Sequence, residues 1–206
     1  MANNTQIEII SSPKGVARYP HLIDPDTKFD PQYNVKLVPS VEDSEAFLAQ
    51  LVALFDADYD AACKRSGQAI KLAPYPYPWS VDIDKDTDEP TGKTVFLFKL
   101  KAKGFSPKTG RKWDNHFAWL NAARQPISVP ENGIGGGSIL RIAFEPYTWI
   151  NNGFGMTLRI KLVQVLEQKT YTADNAALAD KLFEVEEGFA GQEETSEAPT
   201  VSGADF

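Results

Sequence analysis

Apolar and polar residues alternate along several short stretches of the chain, and this two-residue period predicts β-strands. The clearest case is the stretch 94–103, in which apolar side chains and lysines occupy opposite faces. The apolar row comprises Phe96, Phe98, Leu100 and Ala102, and the basic row comprises Lys99, Lys101 and Lys103. Such a strand can bury its apolar row in a core and leave three ammonium groups about 7 Å apart on its other face.

Gly and Pro residues in 104–110 predict a hairpin loop after this strand, and the chain is expected to return as a second strand as far as Trp119. Further strands are expected at 5–10 and 33–38. A second hairpin is expected at 138–150 and 154–167, with the turn at 151–153. Its inward rows are Leu140, Ile142 and Phe144 on the first strand, and Met156, Leu158, Ile160 and Leu162 on the second.

One long stretch has the three- and four-residue period of a helix. Ser40 is expected to cap its start, apolar residues recur from Phe47 to Cys63, and Gly67 ends it. A short C-terminal helix is expected from about Asn175 to Glu186. Hairpins with one helix inserted between early strands predict a mainly β fold: a five-stranded antiparallel OB-fold barrel with one long inserted helix, followed by the short helix and a disordered acidic tail.

The 206 residues are expected to form one domain, 1–183, and a flexible acidic C-terminal tail, 184–206. The tail has seven acidic residues, no Lys or Arg, and too few apolar residues to form a core. The chain has 28 acidic and 21 basic residues, so without those seven each sign has 21 and the domain is formally neutral. The acidic balance of the chain therefore does not argue against a polyanionic partner.

The composition gives no sign of an enzyme. His21, His116 and Cys63 form no nucleophile–base or metal-ligand pattern. The alternating aspartates of 82–88 lack the glycine and the final glutamate of a calcium loop, and are interpreted as a solvated acidic turn. We expect no catalytic residue, metal or cofactor. The single cysteine, the polar N-terminal stretch and the absence of a long apolar run predict a cytoplasmic protein with no membrane partner.

Between Lys93 and Lys112 there are seven basic residues and no acidic one. Cations can follow phosphates while aromatic rings stack on unpaired bases, so this pattern favours a single nucleic-acid strand as the ligand. The candidate DNA-binding residues are Lys99, Lys101, Lys103, Phe105, Lys108, Arg111, Lys112, Trp113, Trp119, Tyr75, Tyr77, Arg141, Arg159 and Lys161. Two alternatives stay open: the lysines only protect a sheet edge, and the Pro-Tyr repeat of 74–78 is a rigid packing arm.

The acidic segment ends in Asp205 and Phe206. An aromatic ring beside a free α-carboxylate fits an apolar pocket rimmed by Arg or Lys on another protein. We therefore expect Asp205 and Phe206 to bind a protein partner, the alternative being that the terminal phenylalanine is incidental.

Short motifs in this order resemble the OB-fold single-stranded DNA-binding proteins of tailed bacteriophages. They are Tyr19-Pro20-His21-Leu22, Asp24-Pro25-Asp26, Tyr33-Asn34-Val35-Lys36-Leu37, Gly136-Gly137-Ser138 and the run from Leu158 to Val165, followed by the acidic tail. The resemblance implies sequence-independent binding of single-stranded DNA in phage replication and recombination, in the host cytoplasm, and recruitment of replication proteins by the tail. It leaves open which aromatic residues stack. The competing hypothesis is a non-enzymatic structural or adaptor protein whose tail engages one partner.

Overall fold

The structure is a computed structural model that describes residues 8–84, 86–106 and 108–170. The expected helix at 175–186, the tail at 184–206 and the domain boundary at 183 lie outside the described residues. In chain order the elements are β1 (Ile10–Ser11), β2 (Gly15–Asp26), β3 (Gln32–Val38), α1 (Val41–Ser66), β4 (Trp79–Ile83), β5 (Pro90–Lys101), β6 (Lys103–Phe105), β7 (Lys112–Asp114), β8 (Ala118–Leu120), β9 (Pro126–Ile127), β10 (Ile139–Ile150) and β11 (Phe154–Glu167).

Five strands close into a barrel in the order β2–β3–β5–β11–β10, with β10 returning to β2. This confirms the predicted OB-fold barrel with one long helix. One detail differs, because the pairing of β5 with β11 is parallel and places Arg159 opposite Lys99. Alternating patterns and turns reveal local antiparallel hairpins, whereas a parallel contact between distant strands leaves no local signal.

The predicted inward rows form the core of the barrel. In the apolar row of 94–103, Phe96 and Phe98 are fully buried, Ala102 is 4% exposed and Leu100 is half-buried. In the rows of β10 and β11 the members are at most 3% exposed, with one exception. The exception is Leu162, which is half-buried, while Val163 is completely buried. The register shifts here, since Phe144 pairs with Ile160 and Ala143 pairs with Leu162. Lys161 is therefore the extra residue of a β-bulge, which reverses the alternation of the strand beyond it.

Helix α1 follows the sequence prediction at both ends. The Ser40 side chain accepts a hydrogen bond from the Asp43 backbone N–H, and Gly67 adopts the left-handed conformation with φ 71°. The apolar face of the helix covers the barrel through Phe47, whose ring lies 4.8 Å from that of Phe96 and 5.8 Å from that of Phe144. Edge-to-face ring pairs of this kind contribute beyond the area that they bury.

The hairpin expected from 93 to 119 is confined to a short ribbon, β6–β7, in which Gly104 lies opposite Trp113. Strand β5 offers no edge to a longer return strand, because β3 occupies one edge and β4 and β11 share the other. Two backbone hydrogen bonds of 2.8 Å at Ala102 fix the ribbon base: its N–H donates to Pro31 O, and its carbonyl accepts from Asn115 N–H. The chain then joins β11 through β8 in parallel.

Candidate nucleic-acid interface

An open groove of about 820 Å³ crosses the outer face of the barrel, where β5, β10 and β11 meet the β6–β7 ribbon. Four cationic side chains line it: Lys99, Lys101, Arg159 and Lys161. Three aromatic side chains line it as well: Trp113, Tyr147 and Trp149. The rest of the lining consists of Asp30, Gln32, Leu100, Asn115, Asn151 and Thr157.

The cations come from two strands that are about sixty residues apart in sequence. The parallel pairing places Lys99 and Arg159 side by side, and the basic rows of β5 and β11 therefore form one surface. Three of the four have carboxylate partners. Lys101 Nζ lies 2.9 Å from Asp30 Oδ2. Lys161 Nζ lies 2.6 Å from one carboxylate oxygen of Glu145, and an Arg159 guanidinium nitrogen lies 4.0 Å from the other. The groove is thus cationic, with part of its charge balanced inside the chain.

The rings on β10 are held in place by β11. The Arg159 guanidinium carbon lies 3.1 Å from the centroid of the Tyr147 ring, a cation–π contact. The Trp149 Nε1–H donates a 3.1 Å hydrogen bond to Thr157 Oγ1. The Trp149 ring lies against the bare Cα of Gly155, where a Cβ would overlap with it. Both rings are therefore pre-oriented, which lowers the conformational entropy lost when a ligand stacks on them.

Trp113 forms the wall of the groove on the ribbon side. Its indole lies across Gly104 on the neighbouring strand, so closely that any Cβ at that position would overlap with the ring. The ring is nevertheless 41% exposed. A tryptophan supported on one face and open to solvent is a ready stacking platform for an unpaired base.

The other candidates of the central hairpin lie on the ribbon and its loop, beyond the groove lining. All are exposed: Lys103, Phe105, Lys108, Arg111 and Lys112. Arg141 is also exposed; it lies near the start of β10, opposite Gln164 and before the two rings of the groove. These residues extend the basic surface around the groove.

Besides Phe105, three aromatic candidates lie outside the groove lining. Trp119 is only 5% exposed, because β8 pairs with β11 and places this residue opposite the buried Val163. Its indole belongs to the core, so it offers no exposed face on which a base could stack. Tyr77 packs 4.9 Å from Phe55 of α1, in keeping with the packing-arm interpretation. Tyr75 is 89% exposed on the same arm.

Sequence reasoning missed Tyr147 and Trp149. The signal was present, because both residues share the outward parity of Arg141 on β10, opposite the inward row that ends at Phe144. Their partners on β11 are Thr157 and Gly155. Because the turn sets the register of a hairpin, the sequence places Thr157 and Gly155 opposite these two outward rings. Such small or hydroxyl-bearing cross-strand neighbours can support aromatic rings on the sheet surface.

The acidic turn contains a second charged cluster, on a different face. Asp82 is buried rather than solvated, and it accepts hydrogen bonds from the Arg18 guanidinium and, at 2.9 Å, from Thr91 Oγ1. Burial by itself would raise the pKa of Asp82, but the hydrogen bonds from Arg18 and Thr91, together with the positive charges of Arg18 and Lys93, outweigh it and hold the pKa below its ordinary value. Backbone N–H groups of Asp86 and Thr87 likewise lower the pKa of Asp84. The cluster ties β4 to β2.

Two kinds of feature are absent from the described part of the chain. Within 8–84, 86–106 and 108–170, no three His, Cys, Asp or Glu residues are grouped so that they could hold a metal ion. Over the same residues, no helix combines the length and the apolar character that a membrane crossing needs.

No family model matches the sequence, and neither does any curated protein. Solved structures do match. The crystal structure of gp2.5, a single-stranded DNA-binding protein encoded by bacteriophage T7, aligns with 90% of this chain and all of its own at a TM-score of 0.65 and 23% identity. The single-stranded DNA-binding protein of bacteriophage Enc34, in complex with single-stranded DNA, aligns over 78% of this chain and 87% of its own. The TM-score of this alignment is 0.57 and the sequence identity is 17%. The chain therefore shares its fold with single-stranded DNA-binding proteins of two bacteriophages, as the sequence resemblance predicted.

Proposed function

We propose that this protein binds single-stranded DNA without sequence preference and without catalysis. One observation supports this function above all others: a single groove combines four cations from β5 and β11 with three partly exposed rings. Cations can follow the phosphates of a strand while unpaired bases stack on the rings. Phosphate contacts and stacking carry little information about the base, so the binding is sequence-independent.

The fold supports this proposal. The two structural neighbours named above are single-stranded DNA-binding proteins, and one of them was solved with its DNA. OB-fold barrels bind oligonucleotides on one face of the barrel and on its loops. The groove of this chain lies on an outer face of the barrel, beside the ribbon that follows its third strand.

Within the groove, we assign phosphate contacts to Lys99, Lys101, Arg159 and Lys161, and base stacking to Trp113, Tyr147 and Trp149. The exposed cations of the ribbon and Arg141 extend the path of the strand beyond the groove. Phe105 is an additional exposed ring on that ribbon. The duplex is disfavoured as a ligand, because its bases are already stacked and paired and offer no faces to these rings.

A titration with oligo-dT, followed by quenching of tryptophan fluorescence and repeated with a duplex of equal length, tests the proposal. Four neutralised phosphates predict that log K falls with log salt at a slope near −3, from roughly −0.7 per phosphate of a single strand. Equal affinity for duplex and single strand, or an affinity that does not depend on salt, would contradict it. Such a result would favour the adaptor hypothesis.

We propose further that the protein acts in phage DNA replication or recombination and that its acidic segment, 184–206, recruits a protein partner there through Asp205 and Phe206. The support is the charge distribution, with seven acids and no base in that segment beside a formally neutral remainder. A tethered acidic segment also has a high effective concentration at the basic groove. Deleting 184–206 should therefore tighten oligo-dT binding, most of all at low salt, and should abolish capture of a purified polymerase, nuclease or recombinase. Weaker DNA binding after the deletion would place the segment in the DNA site instead.

A further inference from the structure

Glu145 lies on the outward row of β10, the same row as Tyr147 and Trp149, and is the one acidic residue of that row. Its backbone lies opposite Arg159. Its side chain is only 14% exposed. One carboxylate oxygen lies 2.6 Å from Lys161 Nζ, and the other lies 4.0 Å from a guanidinium nitrogen of Arg159. A single carboxylate thus lies between both cations that β11 contributes to the groove.

The same contact occupies one of the stacking rings. The guanidinium of Arg159 lies over the face of Tyr147, so that face is covered while Arg159 stays where Glu145 and the ring hold it. Two cations and one ring face that a DNA strand would use are therefore engaged with partners inside the chain. The bulge at Lys161 contributes to this arrangement, because it inserts the lysine as an extra residue beside Glu145.

We propose that Glu145 is a built-in phosphate surrogate, which occupies the position between Lys161 and Arg159 in the DNA-free protein and is displaced by a phosphate of the bound strand. This inference rests on the proposed function and adds that a carboxylate of the chain competes with DNA phosphate for the same two cations. A carboxylate and a phosphate present similar anionic oxygens to the same donors. The free groove consequently keeps Arg159 and Lys161 ordered and paired, at a cost in affinity for DNA.

Asp30 makes the corresponding contact with Lys101 on the other side of the groove, but it competes less. Its side chain is 80% exposed, and an ion pair so open to water is screened and weak. Glu145 lies in a less polar environment, where its charge acts more strongly on nearby groups. The two carboxylates therefore differ in the strength with which they oppose DNA.

The test is the isosteric substitution Glu145→Gln in the full chain, assayed by oligo-dT titration at several salt concentrations. It removes the competing charge while keeping the shape of the side chain. We expect binding about three- to tenfold tighter than wild type at low salt, by Coulomb energies at a surface-like dielectric. The gain should shrink as salt rises, because the removed repulsion is screened.

Two matched variants control for trivial causes. Glu131→Gln changes the same net charge at an exposed position outside the groove lining, and it should leave affinity within about twofold. Asp30→Asn should give a smaller gain than Glu145→Gln. Thermal melts of all three variants separate an effect on the groove from an effect on folding.

The outcomes separate this inference from the function on which it rests. If wild type binds oligo-dT and Glu145→Gln binds equally or more weakly at every salt concentration, Glu145 does not compete with DNA and the surrogate role is refuted. If Glu131→Gln gives the same gain, the effect is global charge and the role is again refuted. If neither wild type nor Glu145→Gln binds oligo-dT, the groove is not a DNA site and both proposals fall together.

Discussion

Two faces of this molecule each place an arginine beside a carboxylate, and the contacts differ in what surrounds them. Arg18 and Asp82 meet between β2 and β4, where the carboxylate is 3% exposed and also accepts a hydrogen bond from Thr91. Arg159 and Glu145 meet beside the groove, where the carboxylate also pairs with Lys161 and the guanidinium lies over the ring of Tyr147. The two arginine side chains are equally exposed, at 39% and 38%. The first contact is closed in the sense that its carboxylate is almost inaccessible and its donors come from the chain, whereas in the second contact one carboxylate is shared by two cations that line an open groove.

The difference shows how charge serves structure on one face and ligand binding on the other. A buried carboxylate whose donors are all supplied by the chain fixes the position of its strand and has no capacity left for a ligand. Cations that share one carboxylate and face solvent keep the capacity to take an outside anion. Changes on the first face should affect stability, and changes on the second face should affect DNA binding.

The largest expected effect is on the closed contact. Asp82→Ala leaves Arg18 and Thr91 without their partner, and we expect the free energy of unfolding to fall by about 3 kcal/mol. This is the lower end of the range for a broken buried ion pair, because 39% of the Arg18 side chain is exposed to solvent. Urea denaturation measures this. Affinity for oligo-dT should stay within twofold; a selective loss of affinity with unchanged stability would reverse the assignment of the two faces.

The pH dependence of stability gives a second view of the same contact. Because the pKa of Asp82 is lower in the folded protein, its contribution is complete above the ordinary carboxyl pKa of about 3.9 and is lost as the pH falls through the lower folded value. In Asp82→Asn, the part of the acid-induced loss in unfolding free energy that comes from protonation of Asp82 should be absent. If the free energy of unfolding falls with decreasing pH in the same way for wild type and Asp82→Asn, the ionised carboxylate of Asp82 does not contribute to stability.

On the open face, Trp113→Ala should weaken oligo-dT binding by roughly 1–3 kcal/mol, the range for a lost stacking platform, with little loss of stability. Gly104→Ala is a matched variant that keeps the indole but places a methyl group where the ring lies. It should also lose affinity, because the ring must move. If Trp113→Ala unfolds the protein in a thermal melt, the ring is structural and the ribbon wall of the groove has been misassigned.

A smaller effect is expected from the cations of β5. Changing Lys99 and Lys101 together to Ala should flatten the salt slope of oligo-dT binding from near −3 to about −1.5, at roughly 0.7 per phosphate contact. The matched control is Lys64→Ala with Lys71→Ala, two exposed lysines outside the groove lining. An equal flattening by the control pair would mean that net charge, rather than the groove, sets the salt dependence.

The smallest effect is expected at Tyr75, which is far more exposed than Trp113 yet lies outside the groove lining. Tyr75→Ala should change affinity for oligo-dT by less than about 0.5 kcal/mol, as is usual for a surface substitution away from a site. A loss as large as that of Trp113→Ala would show that the bound strand also passes over the 74–78 arm.

The sequence by itself determined the local elements of this fold. Alternation marked the inward rows of β5, β10 and β11, the turn at 151–153 marked the second hairpin, and Ser40 and Gly67 marked the ends of α1. Each of these signals works between residues that are close in sequence, where side-chain period and backbone conformation are set by neighbours. The sequence also placed the lysine row of β5 and the cations of β11 among the DNA-binding candidates.

Only the tertiary structure decided how these elements meet. The parallel pairing of β5 with β11 placed Lys99 beside Arg159, and the pairing of β8 with β11 buried Trp119. The support of Trp113 by Gly104 depended on the register of the ribbon. The burial of Asp82 depended on the approach of Arg18 from a strand 64 residues away. Contacts between distant segments are set by barrel closure and by competition for sheet edges, and neither leaves a periodic trace in the sequence.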